Sequence, residues 1–335
     1  MPTHRQFIYV REPEGMPDAA CFRLIEAPTP EPAEGQVLVR THYLSIDPYF
    51  RRMMGGGHGQ YANPLKIGDV MVGRGVGVVV DSRHPDFSPG DGVQSEFGWR
   101  EYVVLDGKGL RKLPADLHPM SLGLGLIGQS GATALVGLED IAGIRSGETV
   151  IVSAAAGAVG SAVGQIARIK GCRAIGIAGG PEKCRHVVAD LGFDACIDYK
   201  AGPIDAALAE AAPEGIDIYF DNVGGDILDA VLPYLRQNGR VPICGQISQY
   251  NSSEPRGLRN IGALLNKCAM MQGFRIGNHL ARRDEALDQL MVWHRDGRLR
   301  YRETVAEGIE QAPAAFINML SGGNIGKQVV RLVSG

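Results

Sequence analysis

Between residues 149 and 276 the apolar positions follow two rhythms in turn. Short β-branched runs such as Thr149-Val150-Ile151-Val152 are followed by stretches with apolar residues three and four apart, as at Val159, Val163, Ile166 and Ala167. The second spacing lines one face of a helix. The pattern predicts strands at 149–154, 173–178, 195–198, 216–221, 239–245 and 270–276, and helices at 160–170, 181–191, 203–211 and 225–236. Six strands with helices between them imply an α/β fold with a doubly wound parallel sheet. Pro242 inside the fifth strand lacks an N–H and must sit at an end or an irregularity. Residues 1–122 read differently. Strand-like runs at Gln36–Ser45, Gly75–Val80 and Glu101–Leu105 are broken by turn signals such as Ser88-Pro89-Gly90-Asp91-Gly92, which suggests a small β-barrel-like domain. From residue 294 the β texture returns, with a strand-like 299–305, a helix-like 309–320 and a final strand Lys327–Leu332. This tail is expected to fold back on the N-terminal domain. The expected division is therefore 1–122 with 294–335, and 123–293.

The most informative stretch joins the first of the six strands to its helix. It reads Ser153-Ala154-Ala155-Ala156-Gly157-Ala158-Val159-Gly160-Ser161. A strand, a small-residue turn and a helix start form the context of a dinucleotide site. Ala155 stands where the first glycine of G-x-G-x-x-G would be. Gly157 remains to let a pyrophosphate approach the backbone, and Gly160 to let helix and strand pack closely. The N–H groups at the helix start favour an anion. Taken alone, the turn can also be read as an ordinary tight βα connection.

The second strand ends in Ala178 and Gly179, without the acid that usually holds the ribose 2′-hydroxyl of NAD. Pro181 suits the first helical position and Gly192 the stop, so Lys183 falls in a first turn, where a cation opposes the helix dipole. Lys183 is either a solvated lysine or the partner of a 2′-phosphate, and the second reading favours NADPH over NADH. Asp221-Asn222-Val223-Gly224-Gly225 follows the fourth strand, and Cys244 to Tyr250 follows the fifth. Ligands of such sheets lie at these strand ends. Asn222 is either a cofactor contact or a plain turn asparagine.

Composition narrows the class. The chain has 335 residues, 44% hydrophobic and 21% charged, with a net charge of −3, which suits a globular protein and gives no sign of a nucleic-acid or anionic-membrane partner. No long apolar stretch or signal-type N-terminus is present. The six cysteines are scattered, with no C-x-x-C, and are expected to be reduced, in the cytoplasm.

Several segments then resemble one family in order along nearly the whole chain. They are Tyr43-Leu44-Ser45-Ile46-Asp47-Pro48-Tyr49 with Arg51, Gly68 through Gly77, Gly98-Trp99-Arg100-Glu101-Tyr102, and Ser153 through Gln165. Tyr219 through Gly225, Ile243 through Asn251, and Gly326-Lys327-Gln328-Val329 complete the set. The chain resembles the zinc-independent medium-chain dehydrogenase/reductases, in the prostaglandin reductase and curcumin-reductase-like branch. The resemblance implies a GroES-like β-barrel domain completed by the tail, a Rossmann domain between, NADPH/NADP as cofactor, and a homodimer. It implies that Ala158, Val159, Gly160 and Ser161 contact the pyrophosphate and that Lys183 and Tyr199 hold the 2′-phosphate end. Asn222, Cys244, Gly245, Gln246, Ile247, Ser248, Tyr250, Phe274, Arg275, Ile276 and Asn324 would line the rest. Two positions depart from the pattern: Leu135 replaces an aromatic, and Arg74 stands where small residues are common.

No metal is expected. Catalytic zinc needs about three Cys, His or acidic ligands, yet Gly68-Asp69-Val70 stands where zinc-dependent relatives carry Gly-His-Glu. No cysteine lies between Cys21 and Cys172, and His42 and His58 are solitary. The expected reaction is reduction of the carbon–carbon double bond of an α,β-unsaturated ketone or aldehyde. Hydride goes to the β-carbon, and Tyr250 stabilises the enolate oxygen. Tyr49 and Tyr61 are candidates for the substrate pocket. The alternatives are a zinc-free NADPH quinone reductase and a non-catalytic NADPH-binding sensor or scaffold.

Overall fold

The computed structural model describes residues 2–55, 64–252, 254 and 256–333. The chain divides into two compact units, Met1–Leu124 with Glu303–Gly335, and Gly125–Arg302.

In the first unit β1 (Thr3–Tyr9) and β2 (Phe22–Pro28) form an antiparallel pair. The larger sheet uses β3 (Gln36–Ser45), β4 (Arg74–Ser82), β5 (Gly92–Glu96), β6 (Tyr102–Asp106) and β7 (Arg111–Lys112). A short helix, α1 (Tyr49–Met53), follows β3. Alternation along β3 sends Val37 and Val39 inward to meet Val79, Val93, Phe97 and Val103, as a half-covered sheet requires.

The second unit holds β8 (Thr149–Ser153), β9 (Arg173–Ala178), β10 (Ala195–Asp198), β11 (Ile216–Phe220), β12 (Leu235–Ile243) and β13 (Met270–Gly273). Their order in the sheet is β10-β9-β8-β11-β12-β13, and every pairing is parallel. The helices are α2 (Gln129–Val136), α3 (Ala158–Ile169), α4 (Pro181–Arg185), α5 (Ile204–Ala211), α6 (Gly225–Val231), α7 (Gly262–Asn266) and α8 (Leu280–Arg295). Ile151, Ile175, Ile177, Ile197 and Tyr219 supply the buried heart of the sheet. Strand order reverses between β8 and β11, the switch point where such sheets take their ligands. Pro242 is the penultimate residue of β12, and its carbonyl accepts the Asp221 N–H at 3.0 Å.

The stretch 294–302 packs with the second unit: the Arg300 N–H donates to Gln165 Oε1 at 2.7 Å, and Gln165 Nε2 returns a bond to the Arg300 carbonyl at 2.9 Å. Beyond it, β14 (Glu303–Glu307), α9 (Ala312–Leu320) and β15 (Lys327–Arg331) return to the first unit. β15 lies between β14 and β3, with Val329 and Val330 fully buried. Phe316 of α9 joins Phe22, Phe50 and Trp99 in one aromatic cluster. The Lys327 ammonium is buried and donates to the Ile46 carbonyl at 2.8 Å and the Asp47 carboxylate at 2.6 Å. The first unit is thus built from both ends of the sequence.

Candidate active site

The turn after β8 is tighter than a generic connection. β8 is buried throughout. Ala154 follows with φ +51°, a left-handed conformation uncommon for a residue with a side chain. Ala155 N–H donates to the Ile177 carbonyl at 3.0 Å and Gly157 N–H to the Ala154 carbonyl at 2.9 Å. A Cβ on Gly160 would lie 2.3 Å from the Ala154 oxygen and 2.8 Å from the Ala154 carbonyl carbon. Only glycine permits α3 to start so close to the turn. No side chain caps this helix start, so the N–H groups of Ala158, Val159 and Gly160 face outward at the carboxyl end of the sheet. The Ser161 hydroxyl donates to the Ala158 carbonyl at 3.3 Å.

At the switch point the ends of β8 and β11 share a buried polar network. The Ser153 hydroxyl accepts the Asn222 N–H at 2.9 Å and donates to Asp221 Oδ1 at 3.1 Å. The same carboxylate oxygen accepts the Tyr219 hydroxyl at 2.9 Å and the backbone N–H groups of Val223 and Gly224 at 3.1 and 3.0 Å. Burial pushes the Asp221 carboxyl up, and these donors pull it back. Asn222 Nδ2 donates to the Ser153 carbonyl at 2.8 Å, so this asparagine braces two strand ends.

The segment after β12 is zipped onto the same strand ends. Cys244 and Gly245 donate to the Asp221 carbonyl at 2.8 and 3.2 Å, and Ile247 to the Asn222 carbonyl at 3.3 Å. The Ser248 hydroxyl donates to the Val223 carbonyl at 2.7 Å. Burial raises the Cys244 thiol pKa to about 12, so it is a small apolar wall here. Tyr250 folds back over this segment, and its hydroxyl accepts the Gln246 N–H at 3.3 Å. A Cβ on Gly245 would come within 3.3 Å of this hydroxyl. Phe274 stands edge-on to Phe220, with centroids 6.1 Å apart. Arg275 is exposed, and Ile276 is buried.

The far end lies beyond β9. Gly180 caps α4 with φ +99° and Pro181 opens it. The helix runs only to Arg185 and continues as a π-helical turn over His186–Asp190, where the sequence pattern predicts one helix over 181–191. Tyr199 packs on Gly179, where a Cβ would sit 2.8 Å from the ring. Lys183 is half-buried; burial lowers its pKa first, and repulsion from Lys200 adds to it. Lys200 lies with its ammonium 6.0 Å from the Tyr199 ring centroid. Asp198 Oδ1 accepts the Gly180 and Lys200 N–H groups at 2.8 and 3.0 Å. Sequence reasoning missed Lys200, which directly follows Tyr199. It also missed the brace formed by Ser153, Tyr219 and Asp221, where a serine and an acid at neighbouring strand ends were the available signal.

The other candidates lie in the first unit. Asn324 Nδ2 donates to the Gly326 carbonyl at 2.8 Å. Tyr49 opens α1 with its ring 4.7 Å from that of Phe50. Arg74 pairs with Glu96 at 2.7 Å. Tyr61 and His58 lie outside the described residues.

A parallel sheet ordered in this way, with a glycine turn at its switch point, joined to a sheet unit made from both chain ends, defines a nucleotide-dependent oxidoreductase of two domains. Two family profiles match in sequence: one described as the N-terminal domain of oxidoreductase over residues 5–113, the other as zinc-binding dehydrogenase over residues 158–292. The chain belongs to the medium-chain dehydrogenase/reductases, with a GroES-like and a Rossmann domain, in their zinc-independent curcumin reductase and prostaglandin reductase branch. It is 44% identical to the NADPH-dependent curcumin reductase of Escherichia coli K12, over 98% of this chain and 97% of that protein. It is 43% identical to prostaglandin reductase 1 of Rattus norvegicus, over 95% of this chain and 96% of that one. The crystal structure of CurA from Vibrio vulnificus in complex with NADPH superposes with a TM-score of 0.93, at 43% identity, covering 99% of this chain and 100% of the other.

The second profile's description names zinc, and the described residues offer no donor set for that ion. Among the described residues no three His, Cys, Asp or Glu side chains come together to hold a metal. Asp69 accepts the Lys66 N–H at 2.8 Å, in ordinary turn geometry. An NADPH-type nucleotide does fit. The uncapped start of α3 suits a pyrophosphate, and two lysines beside Gly179 suit a further phosphate.

Proposed function

We propose that this protein reduces the carbon–carbon double bond of α,β-unsaturated ketones and aldehydes with NADPH. The observation that carries the reading is Tyr250, a phenol held as hydrogen-bond acceptor by Gln246 on the segment zipped to the Asp221 and Asn222 strand end. The names of the relatives at 44 and 43% identity support the cofactor and the reductase class.

In this reading the N–H groups of Ala158 to Ser161 take the pyrophosphate, and Lys183, Tyr199 and Lys200 take the 2′-phosphate. Asn222, Cys244 to Ser248, Tyr250 and Phe274 to Ile276 line the rest. Bound NADPH supplies a hydride for the β-carbon of the enone. Negative charge then gathers on the substrate's carbonyl oxygen. Tyr250 donates its O–H to that oxygen, which a phenol with an ordinary pKa of about 10 does at neutral pH. Removing one such donor typically costs about 10²–10³ in rate. Asn222 and the Asp221 brace hold the strand ends in place, so the donor is aimed before the charge appears.

The outer edge of the sheet favours a homodimer. β13 is an edge strand, and an unpaired sheet edge can pair with that of a second copy. The six free thiols fit the reducing cytoplasm, and none of the described helices is long and apolar enough to cross a membrane.

The test is NADPH consumption by the purified protein over an alkenal, a long-chain enone and a quinone, repeated with Tyr250→Phe. The reading expects turnover of the enone or alkenal. It expects the variant to lose about 10²–10³ in kcat with little change in NADPH affinity. Turnover of the quinone alone, or an unchanged kcat in the variant, overturns it.

A further inference from the structure

Two cysteines that the reaction does not use face each other at the phosphate end of the nucleotide domain. Cys184 is in α4, directly after Lys183, and Cys196 is in β10. The Cys196 thiol donates to Cys184 Sγ at 3.2 Å. A disulfide needs a sulfur separation of about 2.05 Å, so closure asks for an approach of about 1 Å. Both side chains are partly solvent-accessible. Cys196 also touches the nucleotide turn indirectly. At Gly176 of the intervening strand β9, a Cβ would meet Cys196 Sγ at 3.3 Å and the Ala155 Cβ at 2.7 Å. Cys184 therefore directly follows the phosphate lysine in α4, and Cys196 packs on the strand that backs the glycine turn. Burial raises both thiols, and the bond from Cys196 eases Cys184 downward, which makes Cys184 the sulfur that ionises first.

We propose that Cys184 and Cys196 are a modification site, closed to a disulfide by low-molecular-weight disulfides such as oxidised glutathione, and that closure weakens the hold on the coenzyme's 2′-phosphate; this consequence rests on the NADPH reading above. The Cys184 thiolate attacks one sulfur of the glutathione disulfide, giving a mixed disulfide and one glutathione thiolate. Cys196 loses its proton and attacks Cys184 Sγ, expelling the second glutathione thiolate. Two protein thiols are oxidised by two electrons, and one disulfide is reduced to two thiols. The new bond pins α4, and with it the backbone of Lys183, to β10, which restricts how its ammonium can approach a phosphate.

The experiment treats the reduced, full-length protein with oxidised glutathione, alkylates the remaining thiols and maps peptides by mass spectrometry. NADPH and NADH dissociation constants are measured before and after. Wild type is expected to yield a Cys184–Cys196 cross-linked peptide, with NADPH binding weakened roughly tenfold, NADH binding unchanged, and full reversal by dithiothreitol. Cys196→Ser and, separately, Cys184→Ser are expected to yield no cross-link and to keep NADPH affinity through the treatment. Absence of the cross-link in wild type, or a cross-link that leaves NADPH affinity unchanged, overturns the inference. Failure of the untreated, reduced protein to prefer NADPH over NADH overturns the consequence together with the function proposed above, and is read before any oxidant is added.

Discussion

The two glycines of the nucleotide turn are expected to fail in opposite ways when each gains a methyl group. In Gly160→Ala the new carbon would lie 2.3 Å from the Ala154 oxygen and 2.8 Å from Ala155 Cα. Ordinary carbon–oxygen contacts begin near about 3.3 Å, so about 1 Å must be found. Every obstructing atom is backbone, and Ala154 already sits at φ +51°. The start of α3 must therefore move off the turn. Overpacking of this kind costs about 1–3 kcal/mol, and the lack of a yielding side chain puts the expected value near about 3. At about 2–4 °C per kcal/mol for a domain of this size, the melting temperature falls by about 6–12 °C. In Gly157→Ala the nearest atom is the same oxygen at 3.2 Å, and φ of −88° suits any residue. A shift of a few tenths of an ångström relieves it, so the melting temperature should hold within about 2 °C. That methyl group instead occupies the approach of the pyrophosphate, and NADPH binding should weaken by about tenfold or more. Scanning calorimetry and NADPH fluorescence titration read the two effects separately. A Gly160→Ala protein that melts with wild type refutes the close helix–turn packing. A Gly157→Ala protein that binds NADPH normally refutes the pyrophosphate's place.

Lys183→Ala is expected to weaken NADPH binding about ten- to a hundredfold, the worth of one charge-assisted contact, while NADH affinity barely moves; equal losses for both coenzymes would remove the phosphate role. Burial pushes the Glu303 carboxyl up, against the Ser121 hydroxyl at 2.9 Å and the Lys327 charge. A carboxyl raised on folding contributes stability that is complete below its unfolded pKa and lost as pH rises through the folded one. Glu303→Gln should therefore match wild type near about pH 4 and melt higher near about pH 7; a gap that narrows with rising pH contradicts this.

The repeating part of the fold was legible because its signals are local. The strands at 173–178 and 195–198 and the long run Gln36–Ser45 stand where the sequence pattern predicts them. Non-local effects were not legible. α2 escaped because Ser130 through Val136 is buried on every side, so it carries no polar face to set a period. α8 escaped because arginines and acids crowd its first half, although Ala286, Leu287, Leu290 and Met291 keep helical spacing and are buried. The strand read at 299–305 begins only at Glu303, because Arg300 is held by Gln165 instead. Within the site the glycine turn and Asn222 could be placed from spacing. The brace joining Ser153 to Asp221, the nearness of Lys200 to Lys183 and the meeting of Cys184 with Cys196 depend on strand order, which no local window contains.

Because β15 fills the gap between β14 and β3 and its valines have no exposure, assembly on the ribosome is expected to run against the direction of synthesis. The nucleotide-binding unit is complete once Arg302 has emerged, whereas the first-made strands wait for the last-made one. A nascent chain halted before Lys327 would carry a finished coenzyme half and an N-terminal half with a bare sheet edge, the form a chaperone would hold longest.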